Sequence, residues 1–177
     1  MLRTIGSFLS GLTVLFVLSA SAAASTACTI NTIPDWDDNY TYGFVATAQV
    51  ITPTARCPEL VEYAFELAPR STPGNVTFSI YQWGPTGPVG SPLFTTTLPW
   101  GTTKTVILVS NINLTLTPGT PYGIDIDLQG YTTESVAFQN NQIGYKHGDG
   151  WWYNGTSWAD VPGTNHKFRA KWAPSGK

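Results

Sequence analysis

Apolar and polar residues alternate along most of the chain with a period of two. Val61, Tyr63, Phe65 and Leu67 are interleaved with Glu62, Ala64 and Glu66, and Val76, Phe78 and Ile80 with Thr77, Ser79 and Tyr81. Phe44, Ala46 and Ala48 alternate with Val45, Thr47 and Gln49, and Tyr122, Ile124 and Ile126 with Gly123, Asp125 and Asp127. Near the end, Phe168, Ala170 and Trp172 alternate with Lys167, Arg169 and Lys171. A strand sends successive side chains to opposite faces, so each run reads as a strand with one buried face. Val106-Ile107-Leu108-Val109 is apolar throughout and predicts a strand buried on both faces or at a sheet centre. Breakers such as Pro73-Gly74, Gly84-Pro85, Gly87-Pro88, Pro118-Gly119 and Pro162-Gly163 separate the runs. No helical pattern intervenes, so the pattern predicts an all-β, antiparallel two-sheet sandwich or barrel of about eight strands.

The first 27 residues follow a different grammar. Arg3 precedes an apolar stretch from Ile5 to Leu18, and a small-residue run, Ala20 to Ala27, follows it. Positive end, apolar middle and small-residue exit in that order predict a secretory signal peptide over 1–27. The stretch is short for a membrane span, which needs about 20 apolar residues. Residues 28–177 are then expected to form one secreted, extracellular domain with no membrane span after signal cleavage. Cys28 and Cys57 are the only cysteines. Export favours one disulfide between them, with a lipid-modified Cys28 as the rival reading.

Composition narrows the partners. Charged residues make up 11% of the chain against about 25% in ordinary soluble domains, and the formal net charge is −2. That balance argues against nucleic acid as a partner. Aromatic residues reach 13%, including seven Trp, which is ample apolar surface for a packed core.

The order of motifs carries a resemblance. Pro73-Gly-Asn-Val-Thr-Phe-Ser-Ile-Tyr-Gln82 is followed by Leu93-Phe94, Leu98-Pro-Trp-Gly-Thr-Thr103 and Leu116-Thr-Pro-Gly-Thr-Pro-Tyr-Gly-Ile124. The tail adds Trp151-Trp-Tyr-Asn-Gly-Thr-Ser-Trp158 and Lys167-Phe-Arg169. Over about residues 40–172 this resembles the jelly-roll domains of secreted bacterial surface proteins of the "choice-of-anchor" kind, which share features with carbohydrate-binding modules. The resemblance implies a jelly-roll sandwich and a non-catalytic role. The chain ends Trp172-Ala-Pro-Ser-Gly-Lys177 without a sorting segment, which favours release over anchoring.

Catalytic templates are missing: there is no G-x-S-x-G, no H-E-x-x-H and no Gly-rich phosphate loop. Glu62 and Glu66 stand four residues apart on one strand face, about 13 Å, too far for the carboxylate pair of a glycosidase. Asp125 and Asp127, two apart and about 6.6 Å, pass that test, which leaves a glycoside hydrolase as a remote alternative. The expected reading is a solvated polar face. His147 and His166 read as solvated loop residues, with a site pairing a histidine and Asp149 as the sharper alternative. Asp35, Asp37 and Asp38 supply the oxygens a structural calcium ion would want, or they cap turns. No other cofactor is expected.

The most informative segment is aromatic. Tyr145, Trp151, Trp152, Tyr153 and Trp158 are crowded between Gly144 and Trp158, among glycines at 148, 150 and 155. In an extended segment Trp151 and Trp152 point to opposite sides, one toward the core and one outward. An exposed indole stacks on a sugar ring, and Asp149, Asn154 and Gln142 would serve its hydroxyls. The expected partner is a polysaccharide, glycan or cell-surface component. The competing reading has these rings plug the end of the core in a structural or adhesive surface protein with no small ligand.

Overall fold

A computed structural model describes residues 28–35, 43–131, 138–140, 145 and 148–175. The signal segment, Asp37, Asp38, Gln142 and His147 lie outside them, so neither the signal reading nor the calcium reading meets a structural test; Asp35 closes a short 3-10 turn, Ile33–Asp35. The described chain forms strands β1 (Cys28–Asn31), β2 (Ala46–Ile51), β3 (Glu59–Leu67), β4 (Gly74–Gly84), β5 (Gly87–Trp100), β6 (Thr105–Val109) and β7 (Leu114–Thr115). These are followed by β8 (Tyr122–Asp127), β9 (Phe138–Asn140), β10 (Gly150–Tyr153), β11 (Trp158–Val161), β12 (Thr164–His166) and β13 (Phe168–Ala173). The count exceeds the expected eight because the turn-rich stretches contribute short strands of their own.

Two antiparallel sheets pack into a sandwich. One has the order β1-β13-β3-β6 with β7 beside β3, the other β11-β10-β2-β8-β4-β5, and β12-β9 form a small third ladder. The core between the sheets is aromatic. Tyr63 stacks on Phe168 at 5.4 Å and Phe65 on Phe78 at 6.0 Å, while Ile80, Ile124 and Ile126 are sealed from solvent. Cys28 and Cys57 form the disulfide, tying β1 to the segment before β3 across a Cα–Cα distance of 6.3 Å. No described helix is long and apolar enough to cross a membrane.

Three strands differ from their sequence pattern for identifiable reasons. In β3 a bulge opposite Lys171 and Trp172 lets Val61 drop out of register, so Leu60 takes the buried position in its place. β6 lies at a sheet edge: Ile107 and Val109 are buried, but Val106 and Leu108 are 46% and 49% exposed, so this apolar run is covered on one face only. In β2 the two faces are exchanged. Thr47 and Gln49 stand in register with Ile126 and Ile124 and face the interior, while Ala46 and Ala48 face outward.

The inward polar pair survives because its hydrogen bonds are met. Gln49 Nε2 donates to Asn165 Oδ1 at 3.0 Å, Gln49 Oε1 accepts from the His166 amide at 2.8 Å, and Thr47 Oγ1 lies 2.8 Å from His166 Nε2. A buried polar network of this kind is tolerated only when its members are satisfied. His166 is therefore no solvated loop residue. It is 1% exposed, and burial pushes its pKa down to about 3.

Candidate functional site

The face exchange in β2 decides where the site forms. Register places Asp160, Trp151, Ala48, Asp125, Ser79 and Thr95 in one lateral row across all six strands of the larger sheet, on the side away from the core. A neighbouring row holds Trp158, Tyr153, Ala46, Asp127, Thr77 and Thr97. Small residues at 46 and 48 leave room above β2, and large rings from both sides fill part of it.

Those rings form a second apolar cluster outside the main core. Trp83 packs edge-to-face against Trp151 at 5.6 Å and against Trp158 at 5.0 Å, over Ala48 and Val50. Tyr153 lies 5.3 Å from Trp158. Two glycines make the assembly fit. The Trp83 ring lies on Gly123, where a Cβ would collide with it. Gly87, at φ 124°, lets the tip of the β4–β5 hairpin reach Trp158, and a Cβ there would stand 2.7 Å from Trp158 Cδ1. Positive φ is a conformation that glycine adopts without steric cost.

Beside the rings opens a cleft of about 340 Å³, lined by Val50, Trp83, Gly84, Pro85, Pro121, Gly148, Asp149, Trp151 and Asp160. Asp149 Oδ1 accepts the Gly163 amide at 3.1 Å, which fixes its direction. Asp160 stands opposite Trp151, and its pKa is raised by partial burial and then by the Asp149 charge. Further along the same row Asp125 is 9% exposed, and one of its oxygens has no hydrogen-bond partner among the described residues. Burial first and Asp127 second push its pKa up to about 8. The expectation of two solvated carboxylates fails for Asp125: Ser79 and Ala48 flank it on either side, and the face around it is partly covered.

Of the residues singled out in the sequence, the structure brings Asp149, Trp151, Tyr153 and Trp158 to this face. Their segment is a β10–β11 hairpin rather than a loose loop. The opposite pointing of Trp151 and Trp152 holds: Trp152 stacks on Phe44 at 5.0 Å and packs against the main core. Tyr145 also serves the fold. Its hydroxyl accepts the Thr52 amide at 2.8 Å, and its ring meets Phe168 edge-on. Asn154 Oδ1 accepts the Thr156 and Ser157 amides, both at 2.9 Å, and so closes the hairpin turn. Sequence reasoning missed Trp83, Tyr81 and Asp160. The available signal for Trp83 was its period-two spacing from Tyr81 on the polar side of β4.

The fold has a known counterpart. The crystal structure of the cysteine protease and lectin-like domains of Cwp84, a surface layer associated protein of Clostridium difficile, superposes with a TM-score of 0.52 at 16% identity. The match covers 75% of this chain and 32% of that one, so this chain spans about a third of its counterpart's length. At that identity the likeness is one of fold. No family model and no curated protein matches the sequence. Among the described residues no group of three His, Cys, Asp or Glu could hold a metal ion.

Proposed function

We propose that this protein is a secreted, non-catalytic surface module that binds glycans on the outer face of its six-stranded sheet. The observation that carries the reading is the half-buried pair Trp151 and Trp158, standing on buried Trp83 beside an open cleft with two carboxylates. An indole offers a broad apolar surface to a pyranose, while carboxylate oxygens accept from its hydroxyls. The fold likeness to a chain with a lectin-like domain supports the reading at the level of architecture. Half-buried rings on a rigid strand pair are also better placed for stacking than rings on a loop.

Affinity electrophoresis through gels containing soluble polysaccharides tests it. Wild type is expected to be retarded by at least one polysaccharide, and Trp151→Ala and Trp158→Ala to run freely while keeping their circular dichroism. Equal mobility of all three proteins on every polysaccharide refutes glycan binding. A second reading draws on the raised pKa of Asp160 beside Asp149, an arrangement that glycosidases use for a general acid. It predicts reducing ends released from a polysaccharide and lost in Asp160→Asn. We expect no release.

A further inference from the structure

The glycan reading leaves the class of sugar open, and the electrostatics of the cleft narrow it. Asp149 and Asp160 open into the same space as Trp83 and Trp151, and no described lining residue is basic. The Asp149 side chain is held in place by the Gly163 amide. Asp160 and Trp151 are a directly opposed cross-strand pair on the outer face, the geometry in which side chains touch. Partial desolvation first, and the Asp149 charge second, shift the Asp160 pKa upward, and no basic residue lines the described cleft to offset them.

From this, resting on the glycan-binding reading above, we infer that the cleft takes a positively charged sugar: a pyranose unit bearing a free ammonium group, as in a de-N-acetylated amino-sugar polymer. Three properties converge on it. The carboxylates attract the ammonium directly, and indole faces attract cations through their quadrupole. The ring of the same sugar offers an apolar face to Trp151. At about 340 Å³ the cleft falls at the lower end of small-ligand sites, which run to about 1,000 Å³, and it exceeds what the tip of a lysine side chain would fill. A neutral hexose gains the stacking and the hydroxyl contacts but leaves the paired negative charges uncompensated.

Calorimetric titration of the secreted chain with four probes tests the inference: hexamers of glucosamine, N-acetylglucosamine and glucose, and hexalysine. The glucosamine hexamer is expected to bind about tenfold tighter than its N-acetylated counterpart at low salt, an advantage that shrinks at about 0.5 M NaCl. Asp160→Asn, with its circular dichroism unchanged, is expected to remove most of that advantage, so that the glucosamine and N-acetylglucosamine hexamers bind nearly alike. An undiminished advantage in the variant overturns the inference. Equal affinity for charged and neutral hexamers overturns the inference and leaves the glycan reading standing. Preference for hexalysine over the glucosamine hexamer overturns it in favour of a basic peptide. Failure of wild type to bind any of the three sugars overturns both.

Discussion

Asp125 stands between Ala48 and Ser79 on the outer face of the six-stranded sheet, with a pKa near 8 in the folded protein. An unfolded aspartate titrates near 3.9, so between about pH 4 and pH 8 the folded state holds a proton that the unfolded state releases. Folding stability from this group is complete below about pH 4 and declines as pH rises through 8. His166 acts at the other limb. Its folded pKa of about 3 lies below the usual 6.5, so its contribution is complete above 6.5 and is lost as pH falls toward 3. Wild type is therefore expected to lose stability between pH 6.5 and 8, where Asp125 titrates alone of the two. Asp125→Asn should flatten that slope by a few kcal/mol at most, at about 1.4 kcal/mol per pKa unit. Urea midpoints measured from pH 5 to 9 check it, and a parallel decline in the variant contradicts the assignment. Gly123 supplies a second residue-scale prediction. Adding the Cβ of alanine drives it into the Trp83 ring, which costs about 1–3 kcal/mol and shifts tryptophan fluorescence. An unchanged spectrum and midpoint would show that the ring does not depend on that gap.

At the level of elements, period two named most strands correctly, because alternation reports a single buried face directly. It failed where something beyond the strand set the burial. The β3 bulge moved Leu60 inward, which no local pattern announces. β6 is apolar on both faces yet lies at an edge, since sheet position comes from long-range pairing rather than from composition. Thr47 and Gln49 face inward because partners some 115 or more residues away in sequence, Asn165 and His166, satisfy them. The β6 assignment has a direct test. Ile107→Ala is expected to cost about 2–4 kcal/mol, and Leu108→Ala, on the open side, under about 1 kcal/mol. Equal losses in chemical denaturation would mean that the outer side of β6 is covered as well.

For the molecule as a whole, the sandwich and its disulfide were legible from patterning and cysteine count, while the site was half legible. Trp151, Tyr153, Trp158 and Asp149 announced themselves by crowding. Trp83 and Asp160 joined them only through sheet order, which brings β4, from the middle of the chain, and β11, from near its end, to one face. The disulfide closes a separation of 29 residues, worth about 3–4 kcal/mol in the chain-entropy account. Reduction is expected to lower the melting temperature by about 10 °C, read by calorimetry with and without reductant; no change would show that the cross-link does not restrain the unfolded chain. The central claim is that one of two adjacent indoles faces a ligand while the other serves the core. Titration of a bound polysaccharide against Trp151→Ala and Trp152→Ala, each with its melting temperature, separates the two roles. The account predicts that Trp151→Ala abolishes binding with only a minor loss of stability, and that Trp152→Ala melts lower yet binds while folded. Loss of binding in Trp152→Ala together with full binding in Trp151→Ala would contradict it.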